Sequence, residues 1–113
     1  MKLTGLGTAT SMGVTTKFSE ESKQLTIMVD SRFDFSLHQA FRDAYSSYAG
    51  KKLDYVLDLS NANYMDSSAL GMILLLKDFV ESNASKLVIK NPNESVRKIL
   101  EIAQFHRLMT IES

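Results

Sequence analysis

Polar and apolar positions change period several times along the chain, and each change marks an element. Val14, Thr16 and Phe18 alternate with polar neighbours, a polar turn covers 19–22, and the alternation resumes with Leu25, Ile27 and Val29. That predicts two strands joined as a hairpin. Ser36 followed three residues later by Gln39 is a capping-box pattern, and Phe41, Ala44, Tyr45 and Tyr48 then share one helical face until Gly50. The spacing predicts a first helix over 37–49. Over 53–59, Leu53, Tyr55, Leu57 and Leu59 lie on one face of an extended segment and Val56 on the other, as in a central strand covered on both sides. The loop 61–66 leads into 67–83, which is rich in helix formers and too long for a buried strand, so it reads as the second helix. Leu87, Val88 and Ile89 make 86–90 a short buried strand. Asn91, Pro92 and Glu94 read as N-cap, first helical position and acidic first turn of a third helix over 92–104. A last strand over 108–111 completes the order ββαβαβαβ, an α/β fold with a mixed sheet and right-handed crossovers. Residues 1–12 are small and polar without period, and are expected to be a flexible N-terminal tail, with Met12 an alternative start and the domain over 13–113.

Composition narrows the classes. With 113 residues the chain has room for one core that buries roughly 65% of its unfolded surface. Thirteen Lys plus Arg balance thirteen Asp plus Glu, so no net field holds a polyanion, and nucleic acid is not an expected partner. The absence of cysteine excludes disulfides, thiolate chemistry and Cys-ligated zinc, and fits a reducing compartment. The longest apolar run, 69–76, is far short of the roughly 20 residues of a membrane span, and the first residues lack the apolar run of a secretory signal. A cytoplasmic module without membrane insertion is expected.

The most informative segment runs Leu57-Asp58-Leu59-Ser60-Asn61-Ala62-Asn63-Tyr64-Met65-Asp66-Ser67-Ser68-Ala69-Leu70-Gly71. A strand enters a polar loop, and two serines stand where the next helix starts. Backbone N–H groups there are unpaired and carry a partial positive charge, so a phosphate on a hydroxyl finds donors nearby. The same residues also serve as an ordinary cap, with Asp66, Ser67 or Ser68 bonding the first turn.

Asp66-Ser67-Ser68-Ala69-Leu70-Gly71 after a hydrophobic strand resembles the phosphorylation motif of the STAS family, the sulfate-transporter and anti-sigma-factor-antagonist domains. The likeness covers about residues 13–111 and extends to the order of strands and helices. In the family's small single-domain members the serine after the aspartate is phosphorylated by an anti-sigma factor or switch kinase, which implies Ser67 as acceptor, with Ser68 the less favoured choice. Val29-Asp30-Ser31-Arg32-Phe33-Asp34 resembles the family's second strand and following loop, where an acidic residue lies near the site, here Asp34. Asp66, Asp34 and Asp58 are the expected neighbours. The family usually has glycine where Ser31 stands and often one where Ala69 stands.

The resemblance implies a non-enzymatic anti-sigma factor antagonist. Its unmodified form would bind an anti-sigma factor or serine kinase regulator, its phosphorylated form would be released, and a metal-dependent serine phosphatase would reset it. Arg32-Phe33-Asp34-Phe35 and Phe41-Arg42-Asp43-Ala44-Tyr45 look similar to relatives that act in biofilm or stress signalling through a kinase-phosphatase regulator. An alternative is a STAS subunit of a membrane transport complex, which would make a constitutive protein contact with no need of the serine hydroxyl. The second helix has more apolar residues than one buried stripe requires. Ser68, Ala69, Leu70 and Met72, near its N-terminal end, are expected to be partly exposed and to bind the partner.

Other constellations point nowhere specific. Serine, histidine and aspartate are present, yet no Gly-x-Ser-x-Gly elbow supports a hydrolase. His38 and His106 lack ligand spacing. Asp54 and Asp58 share a strand face that reads as solvated. Arg97-Lys98 reads as an exposed helix face and Lys51-Lys52 as a turn. No glycine-rich phosphate loop of the Gly-x-x-x-x-Gly-Lys type occurs, and no cofactor or metal is expected.

Overall fold

The computed structural model describes residues 6–113. Eight strands and three α-helices follow in the order β1 (Leu6–Ser11), β2 (Val14–Ser19), β3 (Gln24–Val29), β4 (Ser31–Phe33), α1 (His38–Ser46), β5 (Asp54–Asp58), β6 (Ala62–Met65), α2 (Ser67–Ser82), β7 (Lys86–Lys90), α3 (Glu94–Ile102) and β8 (Thr110–Glu112). Six of the strands form one sheet in the order β1-β2-β3-β5-β7-β8. Its first three strands are antiparallel neighbours, and β3, β5, β7 and β8 run parallel. Leu25, Tyr55 and Leu87 stand in register across the sheet, as do Ile27, Leu57 and Ile89. All six are buried, and their face carries the helices.

The expected hairpin is present as β2 and β3, with Val14 opposite Val29. The expected tail is not a tail over 6–11. That stretch pairs with β2 along its whole length, from Leu6 opposite Ser19 to Ser11 opposite Val14. Met12 (φ 52°) and Gly13 (φ 82°) make the two-residue link, both at the positive φ that a tight hairpin of the I′ type demands. The strand escaped the sequence reading because residues 7–11 are all exposed, so no apolar alternation marks it. Residues 1–5 lie outside the described residues.

Central strand β5 is buried at Tyr55, Val56 and Leu57. Val56 lies outside the continuous core that holds Tyr55 and Leu57, which places it on the opposite face with Asp54 and Asp58. Buried residues from all three helices pack into that core: Phe41 and Tyr45 from α1, Ile73, Leu76 and Val80 from α2, and Val96 and Leu100 from α3.

Helix starts differ from the sequence expectation in an instructive way. Asp34, not Ser36, caps the first helical segment, a 3₁₀ turn over 35–37 that runs into α1, while Gln39 donates to Asp43 at 2.8 Å. α3 is capped by Asn93, whose Oδ1 accepts from the Val96 N–H at 2.8 Å, whereas Asn91 sits outside at φ 59°. The left-handed residue at 91 turns the chain, and helical geometry begins three residues later, at Glu94. Asn83 ties the two helix ends together: it accepts from the Gly50 N–H at 2.8 Å and donates to the Phe79 carbonyl at 2.9 Å.

Candidate functional site

The region expected to be a plain loop holds a second small sheet. β4 and β6 pair in parallel, with Arg32 opposite Tyr64 and Phe33 opposite Met65. Phe33, Ala62 and Met65 are buried and anchor this pair on the core. Ser31 takes φ 60° beside the register shift between Ser31 and Arg32. A non-glycine residue accepts that geometry at a cost of about 1 kcal/mol.

Asp34 and Asp66 each follow directly on the last registered pair, Phe33 and Met65. Both strands thus end on an aspartate that caps a helical segment, and the two caps repeat the same chemistry. Asp34 Oδ1 accepts from the Ser36 N–H at 3.0 Å and from its hydroxyl at 2.5 Å. Asp66 Oδ1 accepts from the Ser68 N–H at 3.1 Å, its hydroxyl at 2.6 Å, and the Ala69 N–H at 3.2 Å.

This cap separates the two serines. Ser68 is half-buried and spends its hydroxyl on Asp66. Ser67 is the first residue of α2, is exposed, and no side-chain hydrogen bond engages its hydroxyl among the described residues. Asp66 therefore turns one serine inward and leaves the other facing solvent.

The Asp34 carboxyl is held below its ordinary range, first by the Ser36 hydroxyl, then by the Ser36 N–H, with Arg32 adding a weaker pull. Arg32 meets Asp34 at 3.4 Å and lies over the Tyr64 ring, 4.1 Å from its centroid. A depressed folded-state pKa stabilises above the unfolded value and is lost as pH falls through the folded one. An NMR titration should show Asp34 ionised to lower pH than an ordinary aspartate, moving back up in Ser36→Ala; an unmoved midpoint would dismiss the hydroxyl as its cause. Asp58 Oδ1 accepts from the Ser60 N–H at 2.9 Å in the turn before β6.

The docking residues need correction. Ala69 and Met72 are 0% and 4% exposed, because they lie on the stripe of α2 that also buries Ile73, Leu76 and Val80. Leu70 is half-buried, and the outward face continues from Ser67 through Gly71, Leu74 and Leu75, the last two 38% and 55% exposed. Phe35, 65% exposed and stacked on His38 at 5.0 Å, stands one residue after Asp34, as Ser67 stands one after Asp66. The helix face that continues from the free hydroxyl is thus apolar. The sequence carries no signal that singles out Leu74 and Leu75, since apolar residues stand on every side of α2 and only its packing turns these two outward.

A mixed sheet with helices on one face and a serine exposed after a capping aspartate define a chain of the STAS family. The chain belongs to it: the STAS domain matches residues 15–113. A STAS-domain containing protein of Pseudomonas aeruginosa (strain UCBPP-PA14) is 46% identical over 100 residues, covering 88% of this chain and 99% of that one. The fold is similar to that of the anti-sigma factor antagonist SpoIIAA in its unphosphorylated form, with a TM-score of 0.65 at 15% identity over 96% of this chain and 87% of that one. It is equally similar to the Bacillus cell fate determinant SpoIIAA in its phosphorylated form, at 0.64 and 16% identity over 96% and 91% of the two chains. Among the described residues no helix is long and apolar enough to cross a membrane.

Proposed function

We propose that this chain is a phosphorylation-switched regulatory module of the anti-sigma factor antagonist type. Unmodified, it binds an anti-sigma factor or switch kinase; phosphorylated on Ser67, it is released. A metal-dependent serine phosphatase restores the binding form, and the chain itself is a kinase substrate rather than an enzyme. The observation that carries this reading is the division of labour at the start of α2: Asp66 engages the Ser68 hydroxyl, and Ser67 stands exposed on the helix face that continues through Leu70 and Leu74.

The switch acts on the contact and not on the fold. A phosphoryl group adds about −1.5 to −2 charges and three acceptor oxygens. The N–H groups of Ser68 and Ala69 that would bind it already serve Asp66. The new charge stays outside, on an apolar surface with two carboxylates behind it, where a partner seated flat cannot compensate it. Incubation with ATP and the cognate kinase, followed by mass-spectrometric mapping, should place a single phosphate on Ser67, retained in Ser68→Ala and absent from Ser67→Ala. A phosphate found on Ser68, or on neither serine, would reverse the assignment.

A further inference from the structure

Asn93 does two things at once at the start of α3. Its Oδ1 accepts from the Val96 N–H at 2.8 Å and from the Ser95 hydroxyl at 3.1 Å. Those two donors fix which end of the amide faces the helix, and Nδ2 on the other end donates to the Ala62 carbonyl of β6 at 3.0 Å. Among the side chains that cap helices well, asparagine alone carries an acceptor and a donor on separate atoms. The cap needs only the acceptor, so the donor is available to hold a second element.

The element it holds is the one that delivers Ser67. β6 has four residues, and Asp66 and Ser67 follow it directly. Its ladder to β4 slips at the start: Ser31 stands opposite Ala62 but Arg32 opposite Tyr64, so Asn63 is skipped. Asn93 grips β6 at the residue where the ladder gives way. Ala62 is fully buried, so its carbonyl has no solvent to fall back on if Nδ2 is withdrawn. Val96 and Leu100 of α3 lie in the same core as Ala62 and Met65, which seats helix and strand on a common base.

We infer that Asn93 is a positioning residue for Ser67: through Nδ2 it pins the start of β6 to α3, and so fixes the place at which α2 presents its first hydroxyl. The inference rests on the reading of Ser67 as the phosphorylated serine. With the pin removed, β6 spends part of its time displaced along the slipped ladder, and a kinase meets the productive arrangement in a smaller fraction of molecules. The loss falls on KM and not on kcat, because the hydroxyl that does dock is unchanged.

Asn93→Asp keeps the cap, since a carboxylate accepts from the Val96 N–H, and removes the donor at nearly constant shape. Asn93→Ser does the same without a charge, and Ser95→Ala alters the cap without touching Ala62. Amide hydrogen exchange of the intact, isotope-labelled chain should quicken at least about tenfold over residues 62–66 in both Asn93 variants and stay within about twofold at Leu100 and in β7. Ser95→Ala should match wild type over 62–66. With ATP and the cognate kinase, KM for both Asn93 variants should rise at least about twofold at constant kcat. Uniform acceleration across the core, the mark of lost global stability, would overturn the inference. Unaltered exchange over 62–66, an effect of Asn93→Asp that Asn93→Ser does not share, or a wild-type KM would overturn it as well. A wild-type chain that takes no phosphate on Ser67 is a separate failure, of the switch reading, whereas the exchange pattern decides without any kinase whether α3 holds β6.

Discussion

Phe33→Ala is expected to lower the unfolding free energy by about 3–5 kcal/mol, read as a shift in the denaturation midpoint at constant slope. Phe33 is fully buried at the end of β4, with its ring 5.0 Å from that of Phe41. It joins three parts at once: the small sheet that carries Asp34 and Asp66, helix α1, and the main core. Truncation leaves a cavity at that junction, and because the strand behind it has only three residues, little backbone is available to close the space. Phe35→Ala, two residues on and exposed, is the matched control and should change stability by no more than about 0.5 kcal/mol. If both substitutions cost the same small amount, the β4–β6 pair is not an anchored part of the domain.

Ser67 carries the second large effect, on binding. Phosphorylation should weaken the cognate kinase or anti-sigma partner at least about a hundredfold, the equivalent of roughly 3 kcal/mol for burying an uncompensated charge. Ser67→Asp brings one charge instead of nearly two and should lose at least about tenfold, while Ser67→Ala should stay within a few-fold of wild type. Calorimetric titration of the four forms against one partner gives the comparison. Equal affinities for wild type, Ser67→Ala and Ser67→Asp would remove the mechanism. A contact preserved in all forms with an ABC-type ATPase would favour the transport-subunit reading.

Much of this architecture is legible from periodicity alone, and the exceptions have physical reasons. α2 was placed to within one residue at its C-terminal end, and β7 matched at both ends, because each is bounded by strong punctuation: Asp66 before α2, and a turn before β7. The short strands β4 and β6 were invisible: three and four residues give no period to read, and what pairs them is a parallel ladder between distant segments. β1 was missed for the opposite reason, since backbone pairing alone specifies it. At helix starts the sequence offered several polar candidates within three residues, and local dihedrals chose among them, Asp34 over Ser36 and Asn93 over Asn91. That Ser67 opens α2 was legible because the aspartate, serine pair and hydrophobic strand occur together. Which side of α2 meets solvent was not, since a helix with leucines on every side conceals its phase until its neighbours are in place.

The three hydrogen bonds received by one oxygen of Asp66 bear on how long a signal lasts. A helix that gripped the incoming phosphoryl group would shelter it, and erasing it would require the helix end to let go first. Here the aspartate has taken that berth in advance, so under the proposed switch the mark would remain as open to the hydrolase that removes it as to the kinase that wrote it. Duration would then be set by the balance of those two visitors and not by a property stored in the domain.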